Sequence, residues 1–317
     1  SETTQTVTEA GGTDTFTLVL DAQPDTDVVL NVVSADTGEV TVGTANYTFT
    51  NGNWDTPQTV TLTGVNDTIV DTNTETTVTI SVTDGSSNDE YDDVANQTIT
   101  VTTTDNETAG YTKSQTTRTV TEAGGTQTFT LVLDAQPATD VVLGVVSADT
   151  GEVTVSAAAF TFTTGNWDTP QTVTLTGVDD DIIDVDTETT VTISVTDNSS
   201  NDEFDSLADQ TITVTTTDND TAGFTKSEAT QTVTEAGGTD TFTLLLNAEP
   251  ASDVVLRVTS ADTGEVTVGT ADYTFTSSNW DSAQTVTLTG INDTIVDTDT
   301  ETTVTITVVD ASSDNNF

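Results

Sequence analysis

Carboxylates are the only chemistry this sequence holds in quantity. Its 53 Asp and Glu residues face four bases, Lys113, Arg118, Lys226 and Arg257, and there is no His and no Cys. Without imidazole or thiol there is no nucleophile–base triad and no nitrogen- or sulfur-ligated metal centre. Paired carboxylates can hydrolyse glycosides, but here they fall on predicted turns without the aromatic lining of a sugar cleft, so an enzyme is not expected. A surface with a formal charge of −49 repels nucleic acid and anionic lipid. Neither nucleic-acid binding nor direct membrane insertion is expected of this segment. With no disulfides, stability must come from core packing or from bound metal. What the acids can do together is hold a cation.

The acids recur with a fixed period. Ser1, Ser114 and Ser227 open matching segments 113 residues apart, and Thr6-Val7-Thr8-Glu9-Ala10-Gly11-Gly12 returns at 119–125 and 232–238. That period is too long for a solenoid unit and right for a self-contained domain. The expected division is 1–108, 109–221 and 222–317, the third copy ending at the position of Phe204 and Tyr91 and so lacking its last strand. It reads as a piece of a longer array.

Apolar residues alternate with Thr, Ser or Asp along nearly every run, as in Phe16, Leu18, Leu20 and in Val78, Ile80, Val82. Thr suits the outward positions, being β-branched yet polar. In repeat one the pattern predicts strands over 3–8, 14–20, 27–33, 38–42, 46–50, 58–63, 76–82 and 97–103, the short 38–42 strand being an insertion between the third and fourth strands of the Greek key. Gly-, Pro-, Asn- and Asp-rich turns separate them. The expected class is all-β: tandem Greek-key, immunoglobulin-like sandwiches arranged as an extended rod. Trp54, Trp167 and Trp280, once per repeat, read as rings closing one end of the core; a carbohydrate-stacking platform is the alternative.

In such a sandwich the first, third and fifth connections and the end of the last strand share one pole. Glu9 lies in the first, Asp36 and Glu39 in the third, Asp67, Asp71 and Glu75 in the fifth, and Asp105 and Glu107 follow the last strand. Repeat two places Glu122, Asp149, Glu152, Asp180, Asp184, Glu188, Asp218 and Asp220 likewise, and repeat three has Glu235, Asp262, Glu265, Asp293, Asp297 and Glu301. Two unit charges about 5 Å apart repel by roughly 0.8 kcal/mol even in water. A cluster of six carboxylates without a base therefore opposes folding unless a cation neutralises it. All-oxygen ligands favour Ca²⁺ over zinc, copper or magnesium. A solvated acidic face is the alternative, but it predicts acids spread over strands instead of gathered in connections. A second patch, Asp89, Glu90, Asp92 and Asp93, belongs to the opposite pole, where a head-to-tail neighbour would approach it.

The repeat resembles the Calx-β family, found in tandem in giant bacterial surface adhesins and singly in sodium–calcium exchangers. The matching pieces are Val7-Thr8-Glu9-Ala10-Gly11-Gly12, Phe49-Thr50-Asn51-Gly52-Asn53-Trp54, the run from Gln58 to Asp67, and the run from Thr104 to Gly110. The resemblance implies Ca²⁺ on Glu9, Asp67, Asp71 and Asp105, on Glu122, Asp180, Asp184 and Asp218, and on Glu235, Asp293 and Asp297. For the third connection it points to Glu39, with Asp36 as a nearby substitute, and correspondingly to Glu152 and Glu265. The sequence departs from the family where Asn66-Asp67-Thr68 replaces an Asp triplet, which Asp179-Asp180-Asp181 restores, and where Asp105-Asn106-Glu107 replaces three Asp. Fewer carboxylates imply fewer ions or weaker binding, about 10⁻⁴–10⁻³ M as in extracellular modules.

The expected function is a calcium-stiffened spacer of a bacterial cell-surface adhesin, outside the cell, each repeat partnered by its neighbours in the same chain across a short link, 108–112. The alternative is an adhesive module whose repeats contact a glycan, a surface or another adhesin component.

Overall fold

The computed structural model describes residues 3–294 and 298–317, built from short strands joined by turns. Repeat one holds β1 (Thr4–Thr8), β2 (Thr13–Leu18), β3 (Val28–Ser34), β4 (Val40–Val42), β5 (Asn46–Phe49), β6 (Gln58–Gly64), β7 (Ile69–Val70), β8 (Thr74–Val82) and β9 (Gln97–Thr104). One sheet runs β1-β9-β8-β3-β5 and the other β2-β6-β4. The period-two alternation decides what lies between them. Phe16, Val32, Phe49, Leu62, Val78 and Val101 point inward and are buried, while the intervening Thr residues face out. Each such side chain contributes about 1.5–3 kcal/mol on burial, enough together to order a sheet pair without disulfides.

Repeat two reproduces this plan around its own core, and repeat three has a core of its own between a four-stranded and a three-stranded sheet. Among the described residues each core draws its buried residues from one repeat with a single exception. Val70 of repeat one, 3% exposed, belongs to the core of repeat two.

Residues 38–42 supply the short strand expected there: β4 extends the second sheet by pairing antiparallel with β6, Val40 opposite Gly64. Two elements differ from the sequence-based expectation. The last two residues of the expected link 108–112 are not a link. Tyr111–Lys113 is a strand paired with Thr126–Leu133, because Tyr111 buries its ring in repeat two and donates from its hydroxyl to the Ile193 carbonyl at 2.9 Å. Phe224–Lys226 pairs with Thr239–Leu246 in the same way. Second, β7 falls where an irregular loop was expected. It pairs in parallel with Gln136–Pro137 of repeat two, so the partner that makes it a strand lies in another repeat.

Trp54 is half-buried against the core edge, and its carbonyl accepts from Leu20 N at 3.1 Å. That is the end-closing role its spacing suggested. Among the described residues no helix is long and apolar enough to cross a membrane.

Candidate metal centre

Four connections of repeat one meet at one pole, each held by backbone contacts that the local sequence dictates. The β1–β2 turn needs Gly11, whose φ of 78° lies in the left-handed region that residues with a Cβ avoid. Its neighbour Gly12 accepts from Gly64 N at 2.9 Å. Gly64 lets the turn lie on β6, since a Cβ there would run into the Thr8 carbonyl. Glu9, on this turn, is thereby brought beside the β6–β8 connection that carries Asp67 and Asp71. Val65 N donates to the Glu39 carbonyl at 2.9 Å, drawing in the β3–β4 connection. Glu9 N donates to the Thr104 carbonyl at 3.2 Å, drawing in the end of β9.

The acids order one another through the backbone. Asp67 Oδ1 accepts from Ile69 N at 2.7 Å and Asp105 Oδ1 from Glu107 N at 2.9 Å, each a turn closed by its own carboxylate. Asp105 Oδ2 accepts from Asp71 N at 3.1 Å. Carboxylate oxygens of Glu9, Asp67 and Glu107 lie within 4.8 Å of one another, as do those of Glu9, Asp71 and Asp105. In repeat two the equivalent group is Glu122, Asp180 and Asp220. Asp184 and Asp218 stand close enough for their charge to act on Glu122.

Burial makes this arrangement costly. Glu9 and Glu122 are each 2% exposed. Desolvation, with the charge of Asp67 next, pushes the Glu9 carboxyl up to about 7. Desolvation pushes Glu122 up to about 7 as well, with Asp180, Asp184 and Asp218 adding to it against an opposing backbone hydrogen bond from Asn219. Glu39 and Asp71 are raised too, by burial first and then by Asp71 and by Asp105 respectively. Two charges 4.8 Å apart repel by about 3.5 kcal/mol at an effective dielectric of 20.

The test for a cation is whether oxygens stand buried with nothing to satisfy them. Glu9 Oε2, Glu39 Oε2, Asp71 Oδ1 and Glu107 Oε2 are buried without a hydrogen-bond partner, and so are Glu122 Oε2, Glu152 Oε2 and Asp220 Oδ2. An unsatisfied buried polar atom costs about 1–3 kcal/mol, more when charged. Seven acidic oxygens at two equivalent poles match a hard divalent cation, and the all-oxygen donor set suits calcium.

The structure sorts the candidates. Glu9, Asp67, Asp71 and Asp105 come together, with Glu39 facing them. Glu122 and Asp180 come together, flanked by Asp184 and Asp218, with Glu152 acted on by Asp184 and Asp180. Asp36 does not serve as the substitute for Glu39: it is exposed, and its Oδ1 closes its own turn on Gly38 N at 2.8 Å. Glu107 and Asp220 belong to the tight groups although the family pattern did not select them. The signal was the Asp-Asn-Glu and Asp-Asn-Asp spacing, in which the first carboxylate folds the third residue back. In repeat three Glu235 and Asp293 are exposed and Glu265 is half-buried, and Asp297 lies outside the described residues.

At the opposite pole of repeat two, the Phe204 end of its sandwich, the acidic patch meets a neighbour. Asp202 and Glu203 of repeat two line a cavity with Asp71 and Thr72 of repeat one, and Glu203 adds to the upward push on Asp71. Thr68 O accepts from Gln136 N at 3.2 Å and Thr68 Oγ1 donates to Gln136 Oε1 at 2.7 Å. The second junction repeats the scheme: Glu249 N donates to the Asp181 carbonyl at 2.6 Å and Ile183 N to the Glu249 carbonyl at 3.4 Å.

No family model and no curated protein matches this chain. Among solved structures it is similar to domains 4 and 5 of the S-layer protein SbsC, at 18% identity and a TM-score of 0.30, over 60% of this chain and 70% of that one. It is also similar to the calcium binding domain CBD12 of CALX1.1, at 15% identity and a TM-score of 0.26, over 60% and 77%. CBD12 of CALX1.2 gives 14% identity, a TM-score of 0.26, and 60% and 76% coverage.

Proposed function

We propose that this chain is a calcium-stiffened spacer segment of a large bacterial cell-surface adhesin, structural and non-catalytic, acting outside the cell. One observation carries the reading: the loop that gathers unsatisfied carboxylates is also the loop that joins one repeat to the next. Asp67 and Asp71 flank Ile69–Val70, which pair with Gln136–Pro137, and Val70 enters the next core. In repeat two Asp180 and Asp184 flank Ile182–Ile183, which meet Glu249.

Calcium would be held by Glu9, Asp67, Asp71, Asp105 and Glu107, with Glu39 beside them, and by Glu122, Asp180 and Asp220 with Glu152, Asp184 and Asp218. The ion supplies positive charge. The chain supplies the geometry. Once Asp67 and Asp71 no longer repel Glu9 and Asp105, their loop is held against the pole, and β7 keeps one position for repeat two. Without neutralisation, the charges that drive Glu9 upward push this loop outward and the junction hinges. Affinity in the range of about 10⁻⁴–10⁻³ M would fill the poles in extracellular fluid and leave them empty in a cytosol.

Calorimetric calcium titration with small-angle scattering tests this. Expected are at least two binding sites per chain and a larger radius of gyration with calcium than with chelator. Binding without a change in scattering would remove the stiffening role, and the absence of binding would remove the calcium reading altogether. Calcium-dependent hits of the chain on a glycan array would favour the alternative, an adhesive module.

A further inference from the structure

The two junctions between repeats share one plan and differ in chemistry at one position. Each presents a tight turn of the following repeat to the loop of the preceding one. In repeat two Asn201 Oδ1 accepts from Glu203 N at 3.1 Å, and Asn201 Nδ2 donates to Thr139 Oγ1 at 3.3 Å. In repeat three Asp314 Oδ1 accepts from Asn316 N at 2.9 Å, and Asp314 Oδ2 from Ser252 N at 2.8 Å. Asn201 and Asp314 are buried, so each turn is fixed to its own sandwich. Glu203 and Asn316 match across the period of 113 residues. So do the residues they face, Val70 with Ile183 and Asp71 with Asp184.

At the second junction Asn316 Nδ2 donates to the Ile183 carbonyl at 3.2 Å, a side-chain bond across the repeat boundary. A carboxylate can only accept, so Glu203 has no hydrogen to offer the matching carbonyl of Val70. What stands there instead is a space of about 360 Å³ between the repeats, with Asp71 and Thr72 on one side and Asp202 and Glu203 on the other. Among the described residues its lining holds three acids and no base. The charge of Glu203 reaches Asp71 across it. The other side of each junction is bonded: Thr68 Oγ1 to Gln136 Oε1 at the first, and Glu249 N to the Asp181 carbonyl at the second.

We infer that residue 203 and its match 316 are the latches of their junctions, Asn316 tying its turn to the preceding repeat and Glu203 holding the repeats apart while Asp71 is charged. The first junction opens at the cavity and swings about its bonded side, Thr68 and Gln136. The second stays tied at Asn316. The two junctions of one chain therefore differ in stiffness at a position where their folds are alike. Closure of the first by a cation on Asp71 rests on the calcium reading given above; the latch itself does not.

The chain has no cysteine, so introduced pairs report on one junction at a time. In the full chain, Thr15→Cys with Thr128→Cys spans the first junction and Thr128→Cys with Thr241→Cys the second, all at matching exposed positions. Spin labels on each pair give a distance distribution by pulsed double electron–electron resonance. In chelator, Glu203→Asn should narrow the first distribution and Asn316→Glu should broaden the second. Each should shift the ratio of closed to open by about 3- to 10-fold, the worth of one hydrogen bond. Asn316→Asp keeps the shape, loses the donor and should act as Asn316→Glu does. Calcium should narrow the first distribution of the parent chain, and that of Glu203→Asn less. An unchanged distribution in either swap overturns the latch. Swaps that act as expected in chelator, with no chain responding to calcium, support the latch and count against the calcium reading.

Discussion

Residues 5–12 and 231–238 are the same eight residues, Gln-Thr-Val-Thr-Glu-Ala-Gly-Gly, in two different situations. The turn is unchanged between them. Gly11 and Gly237 have φ of 78° and 83°, and Gly64 N and Gly290 N reach across to Gly12 and Gly238 at 2.9 and 3.0 Å. The strand is not. Thr4–Thr8 pairs in parallel with β9, whereas 231–234 is not a strand. Val7 is buried and Val233 only half so; Glu9 is buried and Glu235 is exposed. A turn closed by glycine is a local property. The burial of the acid beside it goes with β9, whose end meets Glu9 at the pole and is followed by acids of its own, Asp105 and Glu107.

The largest effect is expected from giving 231–234 a strand like β9 to pair with. A chain extended after Phe317 by the residues of 205–221 should gain a third calcium site by calorimetry and order 231–234 as strand by hydrogen exchange. Next in size is calcium removal. At a calcium concentration one hundred times Kd the ion stabilises each occupied pole by about 2.7 kcal/mol. Chelation should thus lower the calorimetric transitions of repeats one and two by roughly 10–20 °C and leave repeat three nearly unmoved.

A sharper version exchanges single acids. Glu9→Gln and Glu122→Gln remove a buried charge, so in chelator at pH 7.5 each should raise stability by about 1–2 kcal/mol. In calcium each should weaken binding at its own pole tenfold or more, while Glu235→Gln changes neither. Calorimetry of the three variants in both buffers reads all of this.

A pH series gives a related effect without mutation. Glu9 and Glu122 titrate near 7 in the folded chain and near 4.5 when unfolded. The folded state therefore holds more protons between these values, and its stability falls as pH rises. The contribution is fully present below about pH 4.5 and lost as pH passes 7. In chelator, urea midpoints of repeats one and two should be higher at pH 5 than at pH 7.5, and saturating calcium at pH 7.5 should restore them. The smallest effect expected is at the surface pair Arg257–Asp272, 2.7 Å apart and near half-exposed on both sides. Arg257→Ala should leave the urea midpoint of repeat three almost unmoved, since solvent screens an exposed pair.

Much of this was legible in the sequence because its causes are short-ranged. Alternating Val and Thr specify strands wherever one face is buried, so every one of the seven main strands of repeat one is where the pattern puts it, within about two residues. The pole was legible too, since the chain order of a Greek-key sandwich brings the odd connections together. The misplaced pieces all take their meaning from a distant partner. Tyr111–Lys113 is a strand because repeat two has a space for a ring, and β7 because Gln136 offers a parallel edge in another repeat. Glu107 was passed over for a related reason: only the folded turn on Asp105 aims it back at Glu9.

By itself, then, the sequence determined the all-β class, the period of 113 residues, the glycine turns and the acids that gather at one pole, since alternation, φ preference and charge are properties of neighbouring residues. Tertiary structure alone decided which of those acids lose their water, that Asp67 and Asp71 share their loop with the junction to repeat two, and that identical residues form a strand at 5–8 and not at 231–234. Burial and strand pairing need a partner surface, and the chain supplies it from residues about a hundred positions away.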